Sequence, residues 1–494
     1  MSQSAHAYAY LRPSAVLDGA AGRRLALETS GGATPLGAAA HPRFFAGFLA
    51  EPAPAAAALL AVADVAAARY YQPQLRASLD PVVTANGDRL RFESFSGCCG
   101  VYARLDVLAA GLDGDEIGHG TTNVDVNNPL REALSRIGRA EPLHLAVGPD
   151  ALEVTTFDGP VVEKKVPLPE RWLRGFAETQ VTAAGFDLRA ELPAAEAVRF
   201  LRSLPRGGGR AGARTALWVV AAGRTLRPTT RPVPGAVCLP GPERLAALQR
   251  VLRHALALRV YGPVAGDGPA ASAWEVVLPG MRLTLTLSPD ASRGFSGEGG
   301  VLGALATDTA EPDADLVAAL LAWEPRIEVA DLAEQSGLTP ARVRAALTRL
   351  GTGGQIGYDA AEAAYFHRQL PYDAGRAEDR NPRLRAARAL VAAGAVRQES
   401  GALATVTVDD HVQRVRTDAA GALGCTCLWW AKYRGGRGPC KHVLAVGMVR
   451  EAALRGGAPE SGAVEGGAAG SGAVESGTAV GGAGHDGILR EGAR

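Results

Sequence analysis

The sequence predicts an α+β protein built from several domains. The chain has 494 residues, which is enough for three or four domains. From about Gly87 to Leu305, segments with the alternation of strands are interspersed with segments of helical periodicity. Near the C-terminus, four cysteine and histidine side chains lie in two close pairs. We therefore expect a mixed α/β N-terminal region followed by smaller modules.

The composition is that of an ordinary globular protein. The formal net charge is +1 and 47% of the residues are hydrophobic, so the chain as a whole is not a general binder of polyanions. The first residues, MSQSAHAYAYLRPSAV, lack a basic segment followed by an apolar one, and no run of about eighteen apolar residues follows. We expect a soluble, cytoplasmic protein that has no membrane partner.

Residues 1–80 are rich in alanine and proline and predict one helix. This helix should run from Pro54 to about Tyr71, with the proline at a first helical position that tolerates it. Leucine and valine form a loose apolar stripe along it. We expect the helix to pack on a neighbouring element.

Residues 87–305 predict two β-hairpins and two helices. The hairpins are expected at 143–156 and 274–287, and the helices from Pro129 to Ile137, capped by Asn128, and from Pro242 to Ala255. The order helix, strand, strand thus occurs twice, with the glycine-rich stretch 203–214 between the two occurrences. This pattern favours two related α+β halves.

Two other groups in this region carry reactive side chains. Cys98 and Cys99 are either a redox pair or part of a buried strand, and the apolar alternation that continues to Val101 favours packing. His119 and Asp125 lie in a polar stretch, but no set of nucleophile, base and orienting group can be assembled around them. We expect no catalytic residue, no cofactor-binding residue and no small-molecule substrate, and hence no enzyme.

Residues 313–372 predict a module like a winged helix-turn-helix. Two helices are expected at 315–323 and 329–335, and Thr339 should cap a third helix that begins at Pro340. Two short strands at 355–358 and 364–369 would form the wing.

This module could contact DNA or another protein. If it binds DNA, Arg342, Arg344, Thr348 and Arg349 on the third helix are the candidates to face the groove. However, residues 311–373 contain ten acidic and five basic side chains, a net charge of −5. Affinity for the DNA backbone comes from neutralising phosphates, so this module alone is a poor DNA binder. Both interpretations stay open.

The four clustered side chains are Cys425, Cys427, Cys440 and His442. Residues two apart share one face of a strand, so Cys425 and Cys427 can direct both sulfurs toward one ion. Pro439 and the apolar run after His442 place Cys440 at a helix start. Cys₃His is a standard set for a closed, structural Zn²⁺ site. Chance or a disulfide are the alternatives, but three clustered cysteines cannot all pair.

The pattern CxC, twelve residues, then CxH and an apolar helix resembles the bacterial SWIM zinc finger family, and PCKHVLAV is similar to the second half of that motif. The resemblance covers about residues 383–455. Leu428 stands where members often have proline. The resemblance implies a small ββα fold with Zn²⁺, and a role in binding DNA or protein.

The predicted finger is basic and carries aromatic side chains. Residues 383–455 contain twelve basic and five acidic side chains, a net charge of +7. Aromatic rings can stack on bases while basic groups hold phosphates. At least one tryptophan should instead cap the small core. The predicted contacts are Trp429, Trp430, Lys432, Tyr433, Arg434, Arg437 and Lys441.

These observations lead to two hypotheses for function. The first is a non-enzymatic module that binds nucleic acid, DNA in particular, or protein, with zinc in a structural role. The second is an adaptor that recruits an ATPase or another enzyme through protein contacts without binding nucleic acid. Residues 456–494, rich in Gly, Ala, Ser and Glu, are expected to form a disordered tail in either case.

Overall fold

A computed structural model describes most of the chain. The described residues are 15–19, 22–26, 32–34, 37–39, 43–71, 81–139, 141–204, 216–264, 268–306, 310–321, 326–370 and 381–456. The chain divides into two compact units, Met1–Glu451 and Ala452–Arg494. The second unit is described only for the end of the last helix, which includes Gly456. The rest of the predicted tail, 457–494, lies outside the described residues.

The first part of the chain contains most of the strands. Its elements are β1 (Ala15–Gly19), β2 (Gly22–Ala26), β3 (Gly32–Thr34), β4 (Gly37–Ala39), β5 (Phe45–Leu49), α1 (Pro52–Ala67), β6 (Val82–Asn86), β7 (Arg89–Phe95), β8 (Val101–Leu108), a 3-10 turn (Ala109–Gly111), β9 (Leu112–Gly114), β10 (His119–Asn123), α2 (Asn128–Arg136), β11 (His144–Val147), β12 (Ala151–Thr156) and β13 (Gly159–Lys164).

The middle part alternates helices with antiparallel strands. Its elements are α3 (Glu170–Ala183), β14 (Asp187–Pro193), α4 (Ala194–Ser203), β15 (Leu217–Ala222), β16 (Thr225–Thr229), β17 (Val237–Leu239), two 3-10 helices (Pro242–Arg250 and Leu252–His254), β18 (Ala257–Gly262), β19 (Ser272–Leu278), β20 (Met281–Leu287) and a 3-10 turn (Phe295–Gly297).

The last part contains the two predicted modules. Its elements are α5 (Leu302–Ala306), α6 (Ala310–Leu320), α7 (Val329–Ser336), α8 (Pro340–Thr352), β21 (Ile356–Asp359), β22 (Ala364–His367), α9 (Pro382–Ala392), β23 (Val396–Gln398), β24 (Leu403–Val408), β25 (His411–Thr417), β26 (Leu423–Cys425), α10 (Leu428–Tyr433) and α11 (Lys441–Gly456). None of the helices in these described ranges combines the length and apolar character needed to cross a bilayer.

An eight-stranded antiparallel sheet is the centre of the fold. Its strand order is β10-β6-β7-β8-β20-β19-β18-β14, and β8 pairs with β20 from Val101 opposite Leu287 to Val107 opposite Met281. A five-stranded sheet (β13-β12-β11-β5-β9) and a three-stranded sheet (β16-β15-β17) accompany it. Both predicted hairpins are confirmed, as β11 with β12 and β19 with β20.

One face of the large sheet packs on an alanine-rich helix. On β8, Ala103 and Leu105 point into this core, and α1 lies against β7 and β8 with nearly all of its side chains buried. A helix that is apolar all round is stable where it is enclosed, and small alanine side chains let its neighbours approach closely. The expected packing of this helix on a neighbour is therefore confirmed, within bounds of Pro52 to Ala67.

The opposite face of the sheet carries polar and charged side chains, yet it is also buried. The alternate residues of β7, β8 and β20 on this face include Arg91, Arg104 and Arg282. Helix α3, with Trp172 and Phe176 buried, and the hairpin β21–β22 cover them. An antiparallel sheet commonly leaves its polar face to water. Here α3 and the β21–β22 hairpin form a second layer over that face, which the alternation of apolar and polar residues in the strands does not reveal.

Several local predictions are wrong in detail. Asn127, not Asn128, precedes α2, and its side chain makes no capping bond. The predicted helix from Pro242 to Ala255 is two 3-10 helices. Cys98 and Cys99 are buried as expected, but they lie in the turn between β7 and β8, where Cys99 has a φ of 54°.

The predicted winged module has the expected order of three helices and a hairpin, but its hairpin is not free. Ile356 and Phe366 are fully buried, and the hairpin packs between the large sheet and α8. The amide of Gln180 on α3 donates to the carbonyl of Leu347 on α8 at 3.1 Å. A wing contacts DNA as an exposed hairpin, and this one contacts the protein's own core. The domain boundaries proposed from the sequence stay predictions.

Candidate metal centre

Strand pairing positions the first ligand. β24 and β25 form a hairpin whose turn residues, Asp409 and Asp410, both have left-handed backbones with φ of 46° and 62°. This conformation matches the twist of a two-residue hairpin turn. β26 then pairs with β25 so that Cys425 lies opposite Val415. Cys425 therefore ends the sheet with its side chain beside the small core of the finger.

The other three ligands lie at helix ends. Cys427 is extended and caps α10, because its sulfur accepts a hydrogen bond from the amide of Trp430 at 3.4 Å. Cys440 immediately precedes α11, and His442 lies in the first turn of that helix. The predicted placement of Cys440 and His442 is confirmed. Helix α10 was not predicted, and it occupies the loop between the two ligand pairs.

The four side chains converge as the spacing predicted. Their sulfur and imidazole nitrogen atoms all lie within 4.8 Å of one another. The Nδ1 atom of His442 is 3.7 Å from the sulfur of Cys425 and 3.9 Å from that of Cys440. A tetrahedron with zinc bonds of about 2.0–2.3 Å has edges of about 3.3–3.8 Å, so small shifts would complete the site. All four residues are at most 8% exposed.

The three thiols of the cluster differ in how readily they ionise. Hydrogen bonding from Cys425, together with the contact with His442, lowers the pKa of Cys440 to about 4 against the opposing effect of burial. The bond to Cys440 and burial raise the pKa of Cys425, and burial raises that of Cys427. The cluster thus stabilises one thiolate by itself. Three thiolates this close need a cation between them, and three sulfurs with one imidazole suit Zn²⁺.

The set of donors decides what the ion would do. Four protein ligands close the coordination sphere, so Cys425, Cys427, Cys440 and His442 would hold a structural ion. The ion would fasten the end of β26 to the starts of α10 and α11. The finger has a small core of valines and alanine beside these ligands, and metal binding supplies folding free energy in modules of this size.

Comparison with known proteins agrees with this geometry. The family model of the SWIM zinc finger matches residues 405–446, from β24 into α11. The chain thus contains a SWIM zinc finger domain with a Cys₃His cluster suited to zinc. The match covers a small part of the chain and defines the class of this domain alone. The bacterial source suggested by the resemblance stays a prediction.

Two further comparisons concern the chain as a whole. No curated protein matches this chain. Among solved structures, it is similar to the crystal structure of Proliferating Cellular Nuclear Antigen from Entamoeba histolytica, at 10% identity and a TM-score of 0.32. That alignment covers 50% of this chain and 99% of the other. A likeness this weak carries no argument about fold or function.

The two tryptophans of the finger pack within the protein. The guanidinium of Arg383 lies 4.6 Å from the ring centre of Trp429, and that of Arg437 lies 5.4 Å from it. Trp430 is half-buried beside Gly424 and packs against the finger's core. The expectation that a tryptophan caps the core is confirmed for both rings.

The predicted basic contacts fall into two groups. Arg437 is mostly buried, because it donates to the carbonyl of Gly297 and its side chain lies 3.8 Å from the carboxylate of Glu298. The guanidinium of Arg437 is therefore already bound within the chain and is not free for the predicted contact with a partner. Lys432 and Arg434 are exposed. Tyr433 and Lys441 are half-buried.

The arginines of α8 are also not all available to a partner. Arg342 forms two hydrogen bonds with the carboxylate of Asp313, at 2.8 and 2.6 Å. Arg344 is exposed, whereas Arg349 is half-buried and takes part in an interaction of its own. Whether any of the three contacts a partner stays a prediction.

Two further arginines of the finger are exposed and were not among the predicted contacts. Arg414 and Arg416 point outward on β25, on either side of the buried Val415. Their alternation with an apolar residue was legible in the sequence, and it is the signal that would have found them.

A contact between the finger and the large sheet domain had no sequence signal. Arg383 on α9 donates to the carbonyls of Glu298, Arg437 and Pro439. Gly438 lies directly against Gly299, so closely that a Cβ atom on Gly438 would overlap the Gly299 carbonyl. The contact needs three distant segments of chain, at 298–299, 383 and 437–439, and no local pattern encodes it.

Proposed function

We propose that this is a non-enzymatic nucleic-acid-binding protein whose SWIM finger is held in shape by a structural zinc ion. The observation that carries the proposal is the closed, buried Cys₃His cluster within a segment of net charge +7. The closed sphere leaves no position to activate a water. What the finger offers to a partner is therefore its surface. None of the six cysteines, all of which lie among the described residues, forms a disulfide, which supports a reducing compartment such as the cytoplasm.

The contact surface in this proposal differs from the loop predicted from the sequence, because it includes part of β25. Arg414 and Arg416 extend from β25, and Lys432 and Arg434 lie at the end of α10, all four exposed. Exposed guanidinium and ammonium groups can each neutralise a phosphate. Trp429 and Arg437 are occupied inside the protein, so they would support this surface from behind.

The module at 310–370 has a different part in the proposal. Its net charge is negative and its hairpin is buried against the sheet, so a second DNA contact through a wing is disfavoured. We assign this winged-helix-like module to protein contacts, through the exposed side of α7 and the start of α8. Binding of DNA through Arg344 would contradict this assignment.

The test is the salt dependence of binding. Full-length, zinc-loaded protein would be titrated with duplex DNA, single-stranded DNA and RNA at two salt concentrations. Replacing Arg414 and Arg416 with alanine should lower the logarithmic salt slope for the duplex by about one per arginine. The double variant Arg136→Ala with Arg199→Ala, which removes two exposed arginines elsewhere, is the matched control and should keep the slope. If both double variants have the same salt slope, the finger does not contact the nucleic acid.

The adaptor hypothesis has one observation of its own. Leu428 is 90% exposed and Val412 is 56% exposed, and a shallow groove of about 480 Å³ lies beside Leu428 between α9 and the hairpin. Exposed apolar side chains beside a groove are typical of protein contacts. Cross-linking at Leu428 would identify a partner ATPase, and Leu428→Asp should then abolish its binding. If this is observed and no nucleic acid binds at low salt, the adaptor hypothesis replaces the nucleic-acid-binding hypothesis.

A further inference from the structure

A second cavity lies far along the chain from the metal ligands, among the helices that cover the large sheet. Helices α1, α2 and α4 and the two 3-10 helices enclose about 450 Å³. Small-molecule pockets usually have volumes of about 300–1,000 Å³. Its apolar lining consists of alanines and a leucine of α1 with Leu134, Ile137 and Leu252, and Ser135 and Gln249 add polar groups. The cavity can therefore hold a small ligand with an apolar portion.

The rim of this cavity is cationic. Arg202 from α4, Arg250 and Arg253 line it, and none of the described residues that line it is acidic. Asp64 lies nearby, but it is shared between Arg250 and Arg131. Within the described part of the chain, Arg202 takes part in no hydrogen bond or ion pair. The guanidinium groups of Arg131, Arg202, Arg250 and Arg253 outnumber the nearby carboxylates of Asp64 and Glu51, which leaves positive charge unbalanced at the mouth.

The pKa of a neighbouring histidine, His254, also reflects the positive charge at the rim. The Nε atom of Arg253 donates to Nε2 of His254 at 2.8 Å, which requires this nitrogen to be unprotonated. Burial lowers the pKa of His254, and the nearby Arg253 and Arg139 lower it further. Glu51 opposes them. Cations therefore dominate around the rim, and an anion entering the cavity would be stabilised there.

We propose that this cavity binds a small phosphate ester that carries an apolar group. Arg202 and Arg253 would hold the phosphate, because a planar guanidinium offers paired donors to phosphate oxygens and stays charged at every physiological pH. The apolar group would cover the alanines of α1. A nucleic-acid backbone offers the same phosphate chemistry, but its phosphodiesters have no apolar group to cover the apolar lining. The inference does not depend on the role of the finger.

Calorimetric titration of the full-length protein with inorganic phosphate, hexyl phosphate and a 20-base-pair duplex tests the proposal. Hexyl phosphate should bind at least about tenfold more tightly than inorganic phosphate, because its chain buries apolar surface. The double variant Arg202→Ala with Arg253→Ala should weaken hexyl phosphate binding by about tenfold or more. Arg199→Ala is the matched control, because Arg199 lies on the same helix, pairs with Glu196 and does not line the cavity.

Three results would overturn the proposal. The first is an absence of hexyl phosphate binding at millimolar concentrations. The second is equal affinity in the double variant and the control. The third is binding of the duplex, but not of hexyl phosphate, that depends on Arg202 and Arg253, because the ligand would then be a nucleic-acid backbone. Because all three arginines substituted in the test are exposed, these variants should fold normally.

Discussion

The carboxylate of Asp359 lies 2.7 Å from the guanidinium of Arg104, in the buried space between the β21–β22 hairpin and the large sheet. Arg282 lies 2.9 Å from the same carboxylate, and Arg91 lies 3.8 Å from it. Burial opposes the charge on Asp359, but Arg104, Arg282 and Arg91 more than offset it and hold its pKa well below the ordinary range. This carboxylate therefore fastens the hairpin to the sheet.

Replacing Asp359 with alanine should destabilise the protein strongly. The change removes one of the two carboxylates that Arg91, Arg104 and Arg282 share, leaving Asp106 to balance three buried cations. Breaking a buried ion pair from one side costs about 3–5 kcal/mol. The free energy of unfolding from urea titration is the measurement. Glu334→Ala, at an exposed position on α7, should change it by no more than about 0.5 kcal/mol. A loss below about 1 kcal/mol for Asp359→Ala would show that the hairpin is held by apolar packing instead.

Glu178 should make stability fall as the pH rises. This buried carboxyl on α3 accepts a hydrogen bond from the amide of Gly300 at 2.8 Å. Burial raises its pKa from 4.5 to about 8, although the bonds from Gly300 and Val301 oppose the shift. Between these two values the folded protein holds a proton that the unfolded chain releases. Stability should therefore decrease across this window by up to about 1.4 kcal/mol per pH unit.

The variant Glu178→Gln isolates this effect. A glutamine keeps an oxygen for the Gly300 amide and has no charge to bury, so its stability should depend less on pH. Urea unfolding at pH 5 and pH 8 should show the variant gaining on the native protein at the higher pH. An unchanged difference between the two proteins at both pH values would mean that Glu178 ionises normally in the folded state.

Replacing Cys440 with serine should remove the metal. A hydroxyl is a poor ligand for zinc at neutral pH, and Cys440 is one of the four converging donors. Elemental analysis should find about one zinc per native chain and much less in the variant, with a lower melting temperature. Cys98→Ser, at a buried cysteine outside the cluster, should keep the full zinc content. Full occupancy in Cys440→Ser would disprove the assigned site.

Two glycines of the finger should respond to alanine in opposite directions. Gly438 has a φ of 71° and lies against the Gly299 carbonyl, so Gly438→Ala should cost about 2 kcal/mol or more and increase hydrogen exchange at residues 297–300. Gly447 lies within α11 with open space around it. Gly447→Ala should be neutral or stabilise by up to about 1 kcal/mol. Unchanged exchange in Gly438→Ala would mean that the close approach does not hold the finger in place.

The metal ligands could be predicted because their geometry is local. Cys425 and Cys427 lie two residues apart at the end of a strand, and Cys440 and His442 lie at a helix start, so backbone geometry alone brings each pair together. The hairpins were predictable for the same reason. Turn residues fix the pairing of neighbouring strands, and alternation marks the buried side of each.

The second layer could not be predicted, because its stabilising groups come from distant parts of the chain. Arg91, Arg104 and Asp359 have the appearance of solvent-facing charges in their own strands. Their burial depends on one another, and pairing of this kind leaves no periodic signal. The prediction for Arg437 was incomplete for the same reason. Its positive charge suggested a contact with a partner, but it binds a carbonyl and a carboxylate more than a hundred residues earlier in the chain.

The three carbonyls bound by Arg383 have a consequence for heat denaturation. Pro439 directly precedes the ligand Cys440, and Glu298 belongs to the sheet domain, so one guanidinium bridges the two. Melting of the finger would deprive this half-buried cation of two of its three carbonyl acceptors and leave only that of Glu298, so it would also weaken the sheet side of the bridge. Differential scanning calorimetry of the zinc-loaded chain should therefore record a single endotherm, and chelation should move that whole peak to lower temperature. A small separate peak for the finger would show that the two parts melt independently.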